Sequence, residues 1–101
     1  MKTILIVDDE PDIVLTTELF LKLNGYEVVS AADGEQGWKL VQTSPPALII
    51  TAWMMPRMDG IKFCRLLKRD PNYGSIPVTS HPPLVFQAHL LPKTGAVFVG
   101  L

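Results

Sequence analysis

The chain has 101 residues, of which 48% are hydrophobic and 19% charged, with a net charge of −1 at pH 7. That length admits one small domain with a modest core, and so nearly neutral a balance offers no basic field for nucleic acid or anionic lipid. Cys64 is the single cysteine, which excludes a disulfide framework and a cysteine-based metal site; residues 3–7, between Lys2 and Asp8, are too few for a signal peptide or membrane span, so a reducing, cytoplasmic setting is expected.

In chain order, "TILIV" (3–7) is a short apolar run rich in β-branched residues, as a strand covered on both faces should be. "DDEP" follows, and Pro11 suits the first turn of a helix whose positive end favours the acids before it. Ile13, Val14, Thr17, Phe20, Leu21 and Leu23 recur at helical spacing, and "NG" (24–25) stops that helix with a residue tolerant of positive φ. "YEVVS" (26–30) predicts a second strand, and Asp33 in "ADG" caps a helix running to about Thr43. "SPP" (44–46) breaks it, and "ALIIT" (47–51) predicts a third strand. Asp59 caps a helix over 60–69, with Ile61, Cys64, Leu66 and Leu67 as its apolar face. "DPNYGS" is a loop, and "IPVTS" begins a fourth strand.

Strands alternating with ten-residue helices imply βαβ units and a doubly wound parallel sheet. Ligands of such sheets sit at the carboxyl ends of the strands, which directs attention to 8–10, 52–56 and 79–82. The composition changes near Thr79. Residues 76–101 hold no acid, and Lys93 is their only charge, where an average stretch would carry roughly six. The domain is therefore divided into a core, 1–78, and an atypical segment, 79–101, that completes or replaces its end. Within that segment 82–91 reads as a helix and 96–99 as a fifth strand, with a poorly packed tail as the other reading.

Three pieces, "ILIVDDE" (4–10), "MMPRMDG" (54–60) and "DPNYGSIPV" (70–78), closely resemble in order and spacing the receiver domain of bacterial two-component response regulators. The resemblance covers 1–78. It implies a flavodoxin-like, CheY-like α/β fold of strand order 2-1-3-4-5, here truncated with no residues left for a fifth helix. It also implies phosphoryl transfer from a histidine kinase to an aspartate at the end of strand three. Mg²⁺ would be held by an acidic pair after strand one, by that aspartate, and by a carbonyl two residues beyond it.

Carried over by residue, Asp8 and Asp9 match the acidic pair, and Met54 matches the carbonyl donor. The acceptor position is Ala52, and Trp53 borders it. A methyl group has no lone pair to attack phosphorus or bind a metal, so Mg²⁺ binding is expected to be weak. The hydroxyl that should follow strand four falls on Pro82, with Thr79 and Ser80 near but out of register. Lys93 would lie at the wrong end of the sheet for the lysine of the motif. Under the resemblance Ala52, Trp53, Thr79 and Ser80 would be the remnants of a phosphate pocket, and no residue carries the role of the lysine. Considered apart from the resemblance, Asp8 and Asp9 are two solvated acids at a helix N-terminus in preference to a cation site, and Asp59 is a cap in preference to a substitute acceptor.

The expected function is a receiver-like signalling module, not an enzyme. It would be unable to accept phosphate and would act by binding a histidine kinase or another signalling protein. The alternative is a phosphate-accepting receiver whose acceptor has been replaced and whose C-terminal segment is truncated or frame-altered. Loss of the fifth helix would leave an apolar strip exposed, which predicts self-association.

Overall fold

The computed structural model describes residues 2–52 and 57–80. Seven elements alternate along it: β1 (Thr3–Val7), α1 (Pro11–Leu23), β2 (Glu27–Ala31), α2 (Gly34–Thr43), β3 (Leu48–Thr51), α3 (Gly60–Arg69) and β4 (Val78–Ser80). The strands pair in parallel in the order β2-β1-β3-β4. This is the expected order over the described strands. The predicted helix over 82–91 and fifth strand over 96–99 lie outside the described residues. The composition change at Thr79 falls within β4.

The central strands explain the sheet. Side chains alternate between faces along a strand, so a strand covered on both sides must be apolar at every position. β1 is: Ile4, Leu5, Ile6 and Val7 are all buried. Leu5 and Val7 join Ile49 and Val78 in the core on one face, and Ile4 and Ile6 join Leu48 and Ile50 on the other. β2 lies at the edge, and its sequence differs accordingly. Glu27 and Ser30 are exposed there, and polar residues on an edge discourage pairing with another chain.

Helix ends follow local chemistry. α1 closes in a Schellman motif: Gly25, at φ 89°, donates to the Lys22 carbonyl, and Tyr26 donates to that of Leu21. Asp33 caps α2 by accepting from the Gln36 N–H at 2.9 Å, and Gln36 Oε1 accepts from the Ala32 N–H at 3.2 Å, a near capping box. Asp59 caps α3 through the Lys62 N–H at 2.8 Å.

Two sequence expectations about helix faces need correction. On α3 the buried side chains are Phe63, Cys64 and Leu67, with Gly60 buried at its start, whereas Ile61 is exposed and Leu66 only half-buried. Phe63 reaches the sheet because it shares a helical face with Leu67, four residues on. On α1 Leu21 alone is fully buried, while Phe20 and Leu23 face outward. Trp38, on α2, does pack against the core, and its ring meets that of Tyr73 edge-on with centroids 5.8 Å apart.

Candidate functional site

β1, β3 and β4 end side by side. Val7 is in register with Thr51, and Thr51 with Ser80. The residues that follow β1 and β3, Asp8 and Ala52, therefore emerge together at the carboxyl edge of the sheet. Ladder bonds hold them there. The Ala52 N–H donates to the Val7 carbonyl at 2.8 Å, and the Asp8 N–H donates to the Ala31 carbonyl at 3.0 Å. Both of these amides are thereby paired, as buried amides must be.

Asp8 is 5% exposed, and its Oδ1 accepts from the Glu10 N–H at 3.0 Å. That bond orders the turn into α1, whose own N-cap residue, Glu10, makes no side-chain cap. Asp9 is exposed. Two carboxylates thus stand at the end of β1, one recessed and one open to water. At the end of β3 there is no third. Ala52 is half-buried, and its carbonyl accepts from Thr51 Oγ1 at 3.1 Å. Among the described residues no group of three or more His, Cys, Asp or Glu side chains could hold a metal ion.

Mg²⁺ keeps several waters and is commonly held by one or two carboxylates. Asp8 and Asp9 fit that role as hard oxygen donors, with one ligand fewer than a site completed by an acid at 52. Trp53 and Met54 lie outside the described residues, so the predicted carbonyl donor and pocket-bordering aromatic do too. Thr79 is buried and paired beside Ile50, in the body of the sheet and short of its edge. Ser80 ends β4, beside Thr51.

The loop leading from the site into α3 is fastened to α2. Arg57 adopts φ 64°, the left-handed region that side chains other than glycine rarely enter. Its Nη1 donates to Asp33 Oδ2 at 2.6 Å. Asp33 is 1% exposed. The Gln36 N–H and then the Arg57 guanidinium hold its carboxyl below the usual carboxylate range. One residue further on, the Met58 carbonyl accepts from the Gly34 N–H at 3.0 Å. A Cβ on Gly34 would stand 2.6 Å from that oxygen, so only glycine permits the approach. Sequence reasoning identified Asp33 as a cap but missed this clamp. Its halves lie 24 residues apart, and the small residue directly after the cap is the single local hint.

The strand end beside the Asp8 and Asp9 carboxylates carries no nucleophile, since position 52 is an alanine. Buried Cys64 is no substitute, since burial pushes its thiol up and away from the reactive thiolate.

A family model described as the response regulator receiver domain matches residues 4–97. Response regulator GtcR of Aneurinibacillus migulanus is 44% identical over 77 residues, which span 76% of this chain and 31% of that protein. The chain thus spans about a third of the length of the curated relatives it matches. Among solved structures, the N-terminal domain of a response regulator receiver protein from Methanoculleus marisnigri JR1 superposes with a TM-score of 0.76 at 36% identity, covering 79% of this chain and 65% of that one. Response regulator protein TrrA from Thermotoga maritima, solved in complex with Mg²⁺-BeF, superposes at 0.74 with 29% identity, over 79% and 68%.

Proposed function

This chain belongs to the response regulator receiver domain family, the receivers of two-component signalling, and on that premise we propose that it is a receiver module unable to accept phosphate, acting through protein–protein contact. The observation that carries the reading is Ala52 at the carboxyl end of β3, where the family places its acceptor aspartate. A methyl group can neither attack phosphorus nor carry an acyl phosphate. The module signals by presenting a surface to a histidine kinase or another signalling protein, and it is not an enzyme.

Mg²⁺ binds weakly at Asp8 and Asp9 in this reading. When bound, it neutralises carboxylate charge that would repel a phosphate. Asp8 keeps its place through the Glu10 N–H, and Asp9 offers its oxygens to solvent. The near-neutral charge of the chain gives it no affinity of its own for nucleic acid.

A second reading has its own support. Asp8 follows β1, whose end is in register with that of β3, and Arg57 is clamped to Asp33, which is support for a pocket kept in shape. The chain is then a receiver locked off by loss of its acceptor. One experiment separates the two. The chain and an Ala52→Asp variant are incubated with a small-molecule phosphodonor and Mg²⁺, and intact mass is measured. The original chain gains no phosphoryl group under either reading, and an adduct on it would overturn both. A gain by Ala52→Asp means that the pocket needs only its acceptor. No gain means that other pocket contacts are gone as well, which leaves protein binding as the function.

A further inference from the structure

α1 presents a row of leucines to solvent. Leu15, Leu19 and Leu23 are 57%, 55% and 86% exposed, and a spacing of four residues sets them on one helical face. The two ends of the helix differ in charge. Asp9, Glu10 and Asp12 gather at its N-terminal end, and Lys22, which pairs with Glu18 at 2.7 Å, sits in its last turn.

We propose that this face is where two copies of the chain meet, α1 antiparallel to α1 about a two-fold axis through Leu19, with Leu15 of each copy against Leu23 of the other. A two-fold contact needs a patch that complements itself, and this one does so in one orientation only. Antiparallel packing brings the acidic end of each helix to the lysine end of its mate and opposes the helix dipoles favourably. Parallel packing would set three acids against three acids. The leucines alone would not choose between the two.

The size of the face sets the strength. A helix of 13 residues is about 20 Å long at 1.5 Å per residue, and one such face falls short of the roughly 800 Å² per partner of a standard stable interface. The dimer is therefore weak and forms at high concentration. This inference is independent of whether position 52 accepts phosphate.

Sedimentation velocity from micromolar to submillimolar chain tests it, with far-UV circular dichroism on every variant. The sedimentation coefficient of the original chain is expected to rise with concentration toward that of a dimer. Leu19→Glu sets two carboxylates together on the axis and is expected to abolish the rise. Leu23→Glu, at the most exposed of the three positions, is expected to do the same and decides the matter should Leu19→Glu fold poorly. Ile61→Glu, at an exposed apolar position on α3, is expected to leave the rise unchanged. A chain that stays monomeric throughout leaves the face to a different occupant and overturns the proposal. So does a rise that survives Leu19→Glu, a loss shared by Ile61→Glu, or growth past the dimer.

Discussion

On the face of the sheet that carries α2 and α3, Phe63, Cys64 and Leu67 close over Leu5, Val7, Ile49 and Val78, and Trp38 and Tyr73 seal the margin. On the face that carries α1, Leu21 is that helix's one fully buried side chain, assisted by half-buried Val14. The helices differ in sequence in a way that explains this. α3 segregates its residues, with Lys62, Arg65, Lys68 and Arg69 turned away from the sheet. α1 carries apolar residues around most of its circumference, more than a single contact with the sheet can absorb. The more apolar helix thus ends with the smaller share of the core, because the stripe that faces the sheet is what packs.

Cavity formation offers the strongest test of that asymmetry. Phe63→Ala is expected to lose about 3–5 kcal/mol, since a fully buried ring leaves a large void. Leu21→Ala should fall at the lower end of about 2–5 kcal/mol. Urea unfolding at constant slope measures both. Equal losses would break the comparison between the faces.

The clamp at the end of α2 comes next. Gly34→Ala is expected to cost about 1–3 kcal/mol, because the Met58 carbonyl must move to admit a methyl group. Thermal unfolding reads that loss. Gly34→Ala introduced together with Ala52→Asp would also displace the loop beyond position 52, so the double variant should take up phosphate less readily than Ala52→Asp alone.

Asp33 adds a dependence on pH. Its folded pKa lies below the unfolded value, so its contribution is fully present above the ordinary carboxylate pKa of about 4 and is lost as pH falls through the folded value. Asp33→Asn keeps a capping oxygen but gives up the charge that Arg57 pairs with. The variant should lose up to about 1 kcal/mol near neutral pH, since Arg57 is largely exposed. The loss should shrink as the pH is lowered past 4, and a constant difference across that range would argue against the ion pair. The smallest effect is expected at the outer face of α1. Leu23→Gln should change stability by no more than about 0.5 kcal/mol, because that side chain is almost wholly in water.

Much of this was legible from residue order. The four apolar runs became the four strands, with boundaries moved by one residue at β2 and β3 and the start of β4 moved by two, from Ile76 to Val78. Asp33 and Asp59 cap the helices they were expected to cap, and Gly25 ends the helix it was expected to end. These are local matters: a cap is decided within four residues and a turn within two, so sequence contains the whole of the physics. Phe63 was missed because choosing the buried face of a short helix means knowing where the sheet lies. The outward turn of Leu23 was missed for the same reason.

The site divides along that line. Sequence alone determined its chemistry: two adjacent acids, an alanine with no lone pair, and the family to which such an arrangement belongs. The tertiary structure alone decided its placement. It drew Val7, Thr51 and Ser80 into register, recessed Asp8 while leaving Asp9 in water, and joined Arg57 and Gly34 to partners 24 residues away. The physical reason is range. A residue carries its own reactivity and its own backbone preferences wherever it stands, but burial and pairing between distant segments come into existence only when the sheet assembles.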